Sequence, residues 1–247
     1  MNAIEDIMRL DTAKWIGEKI AELPDRSKFR AYSAIRSLQW SSRNFHADMP
    51  IPAAYFALHA TEEAVAAFLS SAKECGYGND ARINLKDHMA KATISLLAQK
   101  VSNFIAEYEP AVAVAPENDA LIARFAVDGT VRYGEASTNL FHFTDGTHGN
   151  RKADFLEELV ASFGDIRALK QAVIEAQEVR NGIFYATSTG LPTGFLDPEA
   201  SLRRECKLTL GLIWAAIDIK RNRGQPIPFI AQALRTANLV IDAMRSK

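Results

Sequence analysis

The sequence predicts a mainly α-helical protein, an up-and-down helical bundle with a small β-hairpin insert around residues 121–145. Three observations support this class. Apolar residues recur at helical spacings of three and four over most of the chain. Proline and glycine mark the ends of these stretches. Between Pro110 and Asn150 the pattern changes to short apolar runs on either side of Asp128-Gly129, a dipeptide typical of hairpin turns.

The predicted helices of the first half are bounded by local signals. A short N-terminal helix precedes a second helix over residues 27–41. The third helix follows the proline-marked turn at residues 48–52 and runs to about Glu74, because Gly76 and Gly78 stop it. Asn84 is expected to cap the next helix, which ends before Pro110.

The second half of the chain combines the insert with three further helical patterns. Strands are predicted at residues 123–127 and 130–133, and a third at residues 139–144. A helical pattern from Ala153 to about Tyr185 contains a break near Gly164. Residues 199–220 form the next helix, with Asp197 as cap and Pro198 in the first turn, and a last helix covers residues 228–244. We expect one domain over residues 1–247, with residues 110–150 as its β-containing insert.

Composition excludes several classes of protein. The 247 residues are 48% hydrophobic, so the chain is long and apolar enough to bury a sizeable core and is not disordered. A net charge of −1 argues against a protein that coats nucleic acid by bulk charge. No run approaches the roughly 18 apolar residues of a membrane span. With two cysteines and an acidic N-terminus unlike a signal peptide, the expected location is cytoplasmic.

The charge is nevertheless uneven along the chain. Residues 200–247 carry nine Lys or Arg against three acidic residues. A face built from this segment can attract phosphate locally. The alternative interpretation is an ordinary solvated helix surface.

Two adjacent carboxylates, Glu62 and Glu63, interrupt an otherwise apolar helical run at residues 53–68. Helical spacing places Glu63 on or beside the stripe that carries Phe56, Ala60 and Ala64. A carboxylate that leans into the protein needs a cation, a proton or a wet cavity, because its desolvation without a partner is costly.

Arg180 is the expected partner of Glu63. It lies seven residues after Val173, two turns further along the same stripe of its helix. A guanidinium stays charged when buried and offers paired donors to a carboxylate. The alternative is that this ion pair only fixes the packing of two helices.

These motifs carry a family resemblance. A run of small residues leads into Glu62-Glu63, Lys86-Asp87-His88 follows with Lys91, and the segment from Arg180 to Tyr185 precedes Pro198. This pattern resembles phage abortive-infection proteins of the AbiV type, which belong to or lie close to the HEPN superfamily of helical bundles. The similarity covers roughly residues 53–91 and 179–198, and none of the β insert.

The resemblance implies a function and a site. HEPN ribonucleases cleave RNA without a metal, through an Arg, a polar residue and a nearby His, usually across a homodimer. Arg180 and Asn181 match this motif, whereas Tyr185 stands where the His is expected. An enzyme of this kind would be a metal-independent endoribonuclease, and the tyrosine indicates lost or altered catalysis.

Cleavage by attack of the RNA 2′-hydroxyl needs a group that accepts its proton and a cation for the charge that grows on the phosphate. Arg180 suits the second role. Tyr185 is a poor base at neutral pH, although its hydroxyl can bind a phosphate oxygen. His88 can supply an imidazole if the fold brings it near; the alternative is a cap or surface residue.

Other histidines give weaker indications. His59 and Glu62 lie one turn apart, as in a metal ligand pair, but a di-iron site needs further Glu-x-x-His elements that the sequence lacks. His142 and His148 lie in the insert, where they can line a pocket or have no role. No metal and no cofactor is predicted.

Two functions from different classes stay open. The first is an RNA-binding or RNA-cleaving effector of phage defence or stress response, homodimeric, that uses Arg180, Asn181, Tyr185 and His88. The second is a non-catalytic module that binds a protein partner, with Glu63 and Arg180 as a structural pair.

Overall fold

The computed structural model describes residues 3–108, 110–127, 129–146, 149–186, 190 and 194–246. Within these ranges the chain is mainly helical and carries one small antiparallel sheet, as the sequence predicts. The helices are α1 (Ala3–Met8), α2 (Asp11–Lys19), α3 (Asp25–His46), α4 (Pro50–Glu74), α5 (His88–Ala106), α6 (Leu156–Ala161), α7 (Ile166–Phe184), α8 (Pro198–Arg221) and α9 (Pro228–Arg245). The strands are β1 (Ala111–Ala115), β2 (Ala120–Val127) and β3 (Thr130–Glu135).

Helix α4 lies at the centre of the fold. It packs most extensively on α3 and α8, and also contacts α5 and α7. Its small residues favour helix formation, and the two prolines of its first turn are compatible with a helix start. The helix ends before Gly76, whose φ of 97° is a left-handed conformation that glycine adopts without strain. Since α4 is apolar on nearly all sides, it forms the core of the molecule.

The helix that carries His88 begins later than the sequence suggests. Asp87, not Asn84, is the N-cap of α5, because its carboxylate accepts hydrogen bonds from the backbone N–H groups of Met89 and Ala90. The Asn84 side chain instead accepts from the backbone N–H of Lys86 in the preceding turn. His88 is therefore the first residue of the helix.

The two helices that flank the later motifs agree with the sequence prediction. The break near Gly164 separates α6 from α7, and Asp165 caps α7 by accepting from the backbone N–H of Ala168. Asp197 caps α8 in the same way through the N–H of Ala200, with Pro198 in the first turn.

The sheet has the strand order β1-β2-β3, with all neighbours antiparallel. The predicted hairpin is confirmed, since Val127 pairs with Thr130 across the turn. Asp128 of this turn lies outside the described residues, and Gly129 has a φ of 72°. The sequence did not indicate β1, which pairs with β2 from Ala111↔Arg124 to Ala115↔Ala120.

The strand predicted at residues 139–144 is wrong. Residues Thr138–Leu140 form a 3-10 turn, and Thr144 makes only an isolated bridge with Arg151. Besides the bond from the Lys152 N–H to the Phe143 carbonyl at this bridge, the backbone of this segment bonds to a helix side chain. The N–H of Phe143 donates to the side-chain oxygen of Gln232, whose amide group donates back to the Phe143 carbonyl.

A buried carboxylate fixes the start of the same segment to α8. Asp218 is 5% exposed and accepts hydrogen bonds from the backbone N–H of Thr138, the Thr138 hydroxyl and the Ser137 hydroxyl. These donors compensate the desolvation of the carboxylate. These hydrogen bonds hold residues 137–138, which follow β3, against α8.

Among the described residues, no helix combines the length and the apolar character that a membrane span requires.

Candidate functional site

Arg180 and a glutamate of α4 form an ion pair, but the glutamate is Glu62 and not Glu63. Nε of Arg180 donates to Oε1 of Glu62 over 2.6 Å. Glu63 points to the other side of α4, where Nη1 of Arg30 on α3 lies 3.2 and 3.3 Å from its two carboxylate oxygens. The predicted Glu63–Arg180 pair is therefore wrong by one residue.

The error has a physical cause. Helical spacing identifies an inward stripe only where one side of the helix faces solvent. Helix α4 is covered by α3 on the side of Glu63 and by α5 and α7 on the side of Glu62. Both carboxylates therefore contact a neighbouring helix. Glu62 pairs with Arg180, and Glu63 pairs with Arg30.

His88 joins the pair from the first turn of α5. Its Nδ1 lies 3.2 Å from Oε1 of Glu62, and its Nε2 lies 3.4 Å from Nη2 of Arg180. The imidazole remains 43% exposed, whereas the side chains of Arg180 and Glu62 are 10% and 16% exposed. The ring thus forms the solvent-facing edge of a largely buried cluster.

Lys91 and Asn181 complete the set of polar partners. Lys91 is buried, and its Nζ lies 3.5 Å from Oε2 of Glu62. Nη1 of Arg180 donates to the side-chain oxygen of Asn181 over 3.1 Å. One carboxylate therefore faces two permanent cations and one imidazole, so the cluster carries an excess of positive charge.

Aromatic rings cover the other side of the guanidinium. Cζ of Arg180 lies 4.3 Å from the ring centre of Phe184 and 5.7 Å from that of Tyr185. Phe184 in turn contacts Tyr55 of α4, with ring centres 4.4 Å apart. Such stacking orients a guanidinium while leaving its edge free to donate hydrogen bonds.

Tyr185 lies at the mouth of the cluster. It follows directly after α7, and 54% of its surface is exposed. Most of the Gly/Pro segment that follows at residues 187–194 lies outside the described residues.

The ionisation of Glu62 follows from its partners. Burial raises the pKa of this carboxyl, but the hydrogen bond from Arg180 and the electrostatic effects of Lys91, Arg180 and His88 outweigh it. The net result is a pKa below the ordinary value. Burial likewise lowers the pKa of Arg180, but the contact with Glu62 more than compensates, so its pKa is raised and the guanidinium stays charged.

The charged state of Glu62 determines the tautomer of His88. An ionised carboxylate only accepts hydrogen bonds, so Nδ1 of the imidazole must carry the proton that points at Oε1. In neutral His88 the lone pair is then on Nε2, next to Arg180. A carboxylate that orients an imidazole so that its other nitrogen can take a proton is the arrangement of a general base.

His59 lies beside this cluster, since its ring contacts that of Tyr55, with ring centres 6.3 Å apart, and it is within electrostatic range of Glu62, Lys91 and Arg180. His59 lies one turn before Glu62 and is half-buried; burial is the main reason why its pKa is lowered. His142 is exposed, and His148 lies outside the described residues. Within the described ranges, no group of three or more His, Cys, Asp or Glu side chains is arranged to hold a metal ion.

Sequence reasoning assigned no role to Lys91, Phe184 or Tyr55. Lys91 carries a detectable signal, because it lies three residues after His88 and so shares a helix face with it. Phe184 follows Arg180 at a spacing of four, which has the same consequence on α7. Tyr55 comes from a distant helix, and no pattern in the chain relates it to Phe184.

The fold and cluster together define a mainly helical protein with a partly exposed His–Glu–Arg centre. No protein-family model, curated protein or solved structure matches this chain.

Proposed function

We propose that this chain is a HEPN-like protein, an up-and-down bundle in architecture, that acts on or binds RNA in phage defence or stress response. The observation that carries the proposal is the contact of 3.4 Å between Nη2 of Arg180 and Nε2 of His88, with Glu62 bonded to both residues. An anion-binding guanidinium and an imidazole with a defined tautomer therefore share one site at the protein surface.

His88 is the proposed base. The AbiV-like pattern places Tyr185 where a HEPN ribonuclease has its His, but the imidazole that the chemistry needs is supplied from α5. An RNA 2′-hydroxyl that approaches Nε2 can give up its proton there, while Glu62 holds the ring and stabilises the imidazolium that forms. Its attack on the adjacent phosphorus forms a 2′,3′-cyclic phosphate and breaks the bond to the 5′-oxygen of the next nucleotide, which leaves as a hydroxyl after taking a proton from water, and the His88 imidazolium returns its proton to water.

Arg180 is the proposed phosphate ligand. Its Nε donates to Glu62 and its Nη1 to Asn181, the guanidinium also interacts with the Tyr185 hydroxyl, and Nη2 is the nitrogen that faces His88. In the proposal a substrate phosphate oxygen approaches from the exposed side of His88 and accepts a hydrogen bond from Nη2 in place of the contact with Nε2. Charge that develops on the phosphate is stabilised there by a donor held in position before the substrate arrives.

Tyr185 and Asn181 have supporting roles in the proposal. The exposed ring of Tyr185 offers a face for stacking of a base, which is a sequence-independent way of holding single-stranded RNA. The Asn181 amide orients Nη1 of Arg180. As in the families that the sequence resembles, the functional unit is proposed to be a homodimer, which sedimentation of the purified protein tests.

The experiment compares Arg180→Ala, His88→Ala and Glu62→Gln with Arg30→Ala, which breaks the neighbouring ion pair of α4 outside the cluster. A labelled single-stranded RNA of mixed sequence and its 2′-deoxy counterpart serve as probes. We expect the three site variants, but not Arg30→Ala, to lose RNA affinity or cleavage, and cleavage to require the 2′-hydroxyl. Circular dichroism shows that each variant is folded. Equal RNA affinity and cleavage in Arg180→Ala and the unaltered protein would refute the proposal.

The second candidate, a non-catalytic module that binds a protein partner, is favoured by a different observation. Helix α3 exposes three large aromatic side chains, Phe29 at 68%, Tyr32 at 44% and Trp40 at 39%. Exposed aromatic residues are typical of protein interfaces. In this case Glu62 and Arg180 only lock the helices, so their substitution lowers stability, and RNA binding is absent from the unaltered protein as well.

A further inference from the structure

A second cavity lies away from the His–Glu–Arg cluster, between α5, α8 and α9. Its volume is about 1020 Å³, which is at the upper end of the usual range for sites that hold small organic ligands. It is open to solvent along the surfaces of α5 and α8. None of the residues Glu62, His88 and Arg180 lines it, so ligand binding in this cavity does not depend on the proposed function.

The walls of this groove are apolar. Side chains from three helices supply them: Ile94, Leu97 and Val101 of α5, Leu212 and Trp214 of α8, and Phe229 of α9. Such a surface favours a hydrocarbon or aromatic group over water.

Gly211 lines the groove on the α8 side and is exposed. It lies inside α8, where glycine is less favourable than alanine for helix stability. A β-carbon at this position would have no heavy atom within 4 Å, so a larger side chain can be introduced here without a clash with a neighbouring element.

Charged side chains line the end of the groove at the start of α8. Arg203, Arg204 and Lys207 line it, together with Asp197 and Glu199. Arg204 is engaged by Glu205, and Arg203 lies 3.8 Å from Glu199. The carboxylate of Asp197 caps the helix. Lys207 is exposed, and among the described residues no carboxylate is within ion-pair distance of it.

We propose that this groove binds a long-chain amphiphile with a single anionic head group. The chain lies against the apolar walls beside Gly211, and the head group is held by Lys207 and Arg203. The charged head of such a molecule stays at the open end, in contact with water, while its tail is desolvated. A carboxylate and a phosphate monoester satisfy the same donors, so both a free fatty acid and a phosphorylated lipid belong to the proposed class.

The test uses calorimetric titration with four probes below their micelle concentrations: dodecanoate, dodecyl phosphate, dodecanol and acetate. Dodecanoate and dodecyl phosphate are expected to bind at one site per chain, and their relative affinities identify which head group is preferred. Dodecanol should bind about tenfold more weakly because it lacks the charge-assisted contacts, and acetate should not bind. Equal affinity for dodecanol and dodecanoate would overturn the proposal.

Two pairs of variants locate the site. Gly211→Leu fills the groove and should abolish binding of all chains, whereas Gly17→Leu, at a helical glycine with equally open surroundings outside the groove, should leave it unchanged. Lys207→Glu should weaken dodecanoate about tenfold and leave dodecanol unaffected, whereas Arg167→Glu, at an exposed position of α7, should change neither. Unchanged dodecanoate affinity in a folded Gly211→Leu protein refutes the assignment.

The groove can also be covered by a second copy of the chain or by a partner protein. Sedimentation of the unaltered protein and of Gly211→Leu shows whether a second copy of the chain covers the groove, because it measures whether each protein is a monomer or a dimer. A dimer that Gly211→Leu dissociates, with no binding of either anionic probe, would show that the groove is a protein interface and would overturn the proposal. Dodecanoate binding that leaves the sedimentation coefficient unchanged supports it.

Discussion

Nη2 of Arg180 lies 3.4 Å from Nε2 of His88, although the two residues are 92 positions apart in the chain. Helix α4 brings them together, because Glu62 accepts a hydrogen bond from each of them through the same oxygen, Oε1. The carboxylate thus determines both the position of the guanidinium and the tautomer of the imidazole. Its removal is expected to disturb stability and the proposed RNA chemistry together.

Arg180→Ala is expected to lower the free energy of unfolding by about 2–4 kcal/mol, because Glu62 then lies largely buried beside only Lys91 and His88. Urea denaturation measures the change. Arg30→Ala is the matched control, since it breaks a longer and more exposed pair with the adjacent Glu63, and should cost about 1 kcal/mol or less. Equal losses in the two variants would contradict the assignment of Glu62 as the centre of the cluster.

The stability of the protein should depend on pH through Glu62. Because the pKa of Glu62 is lower in the folded protein than its ordinary value of 4.5, the ionised group stabilises the fold above that pH. This contribution is lost as the pH falls through the folded-state pKa. Glu62→Gln should remove this part of the acid sensitivity, measured by urea denaturation between neutral and acidic pH. Glu178→Gln, at an exposed position of α7, serves as control and should leave the acid dependence as it is in the unaltered protein.

Asp87→Ala is expected to lower the free energy of unfolding by about 1–2 kcal/mol, because the first turn of α5 loses its cap. His88 is the next residue, so the same variant should also weaken the proposed RNA binding. Asn84→Ala tests the alternative cap and should cost less, since its side chain accepts only from Lys86. If Asn84→Ala lowers the thermal unfolding temperature more than Asp87→Ala does, Asn84 and not Asp87 is the cap of α5.

Asp218→Ala should be among the most destabilising substitutions outside the apolar core, with a loss of about 2–4 kcal/mol. It leaves the backbone N–H and the hydroxyl of buried Thr138 without their acceptor. Asp242→Ala removes a carboxylate of the same type from an exposed pair with Arg82 and is expected to cost less than about 1 kcal/mol. Chemical denaturation of both proteins provides the comparison, and similar midpoints would argue against a structural role of Asp218.

The helical part of the fold could be predicted because its signals are local. The cap at Asp197, the proline that follows it and the break at Gly164 act within a few residues of where they stand. The cap at Asp87 was missed because Asn84 and Asp87 are both good capping residues, and only the tertiary fold decides between them. Asp87 also receives the side chain of Arg245 from α9, a contact that the sequence does not indicate.

The sheet was predicted only in part. The Asp128-Gly129 turn identifies the hairpin, whereas β1 is joined to β2 by a 3-10 turn at Pro116–Asn118 that has no strong hairpin signal. Residues 139–144 have strand-like composition, yet Phe143 exchanges hydrogen bonds with the side chain of Gln232, and Thr138 just before the segment donates to Asp218. Local pattern cannot show that a distant helix will provide these partners.

The candidate site could likewise be predicted only in part, because local sequence pattern does not identify partners from distant helices. A partner for Arg180 on α4 was predicted from charge and burial, but the choice between Glu62 and Glu63 depends on which helices flank α4 on each side. His88 was a candidate by its chemistry alone. Its distance from Arg180 follows from the packing of α5 against α7, which no spacing in the sequence encodes.

The carboxylate of Asp218 also bears on how the chain can be shortened. An engineered deletion of residues 110–150 would retain α8 but would remove Ser137 and Thr138, which donate hydrogen bonds to this carboxylate. Asn222 would then be its one remaining side-chain donor among the described residues, and water would take the place of the others. A deletion that is to leave the helices in place should therefore end before Ser137, so that this junction between the sheet-bearing segment and α8 is kept.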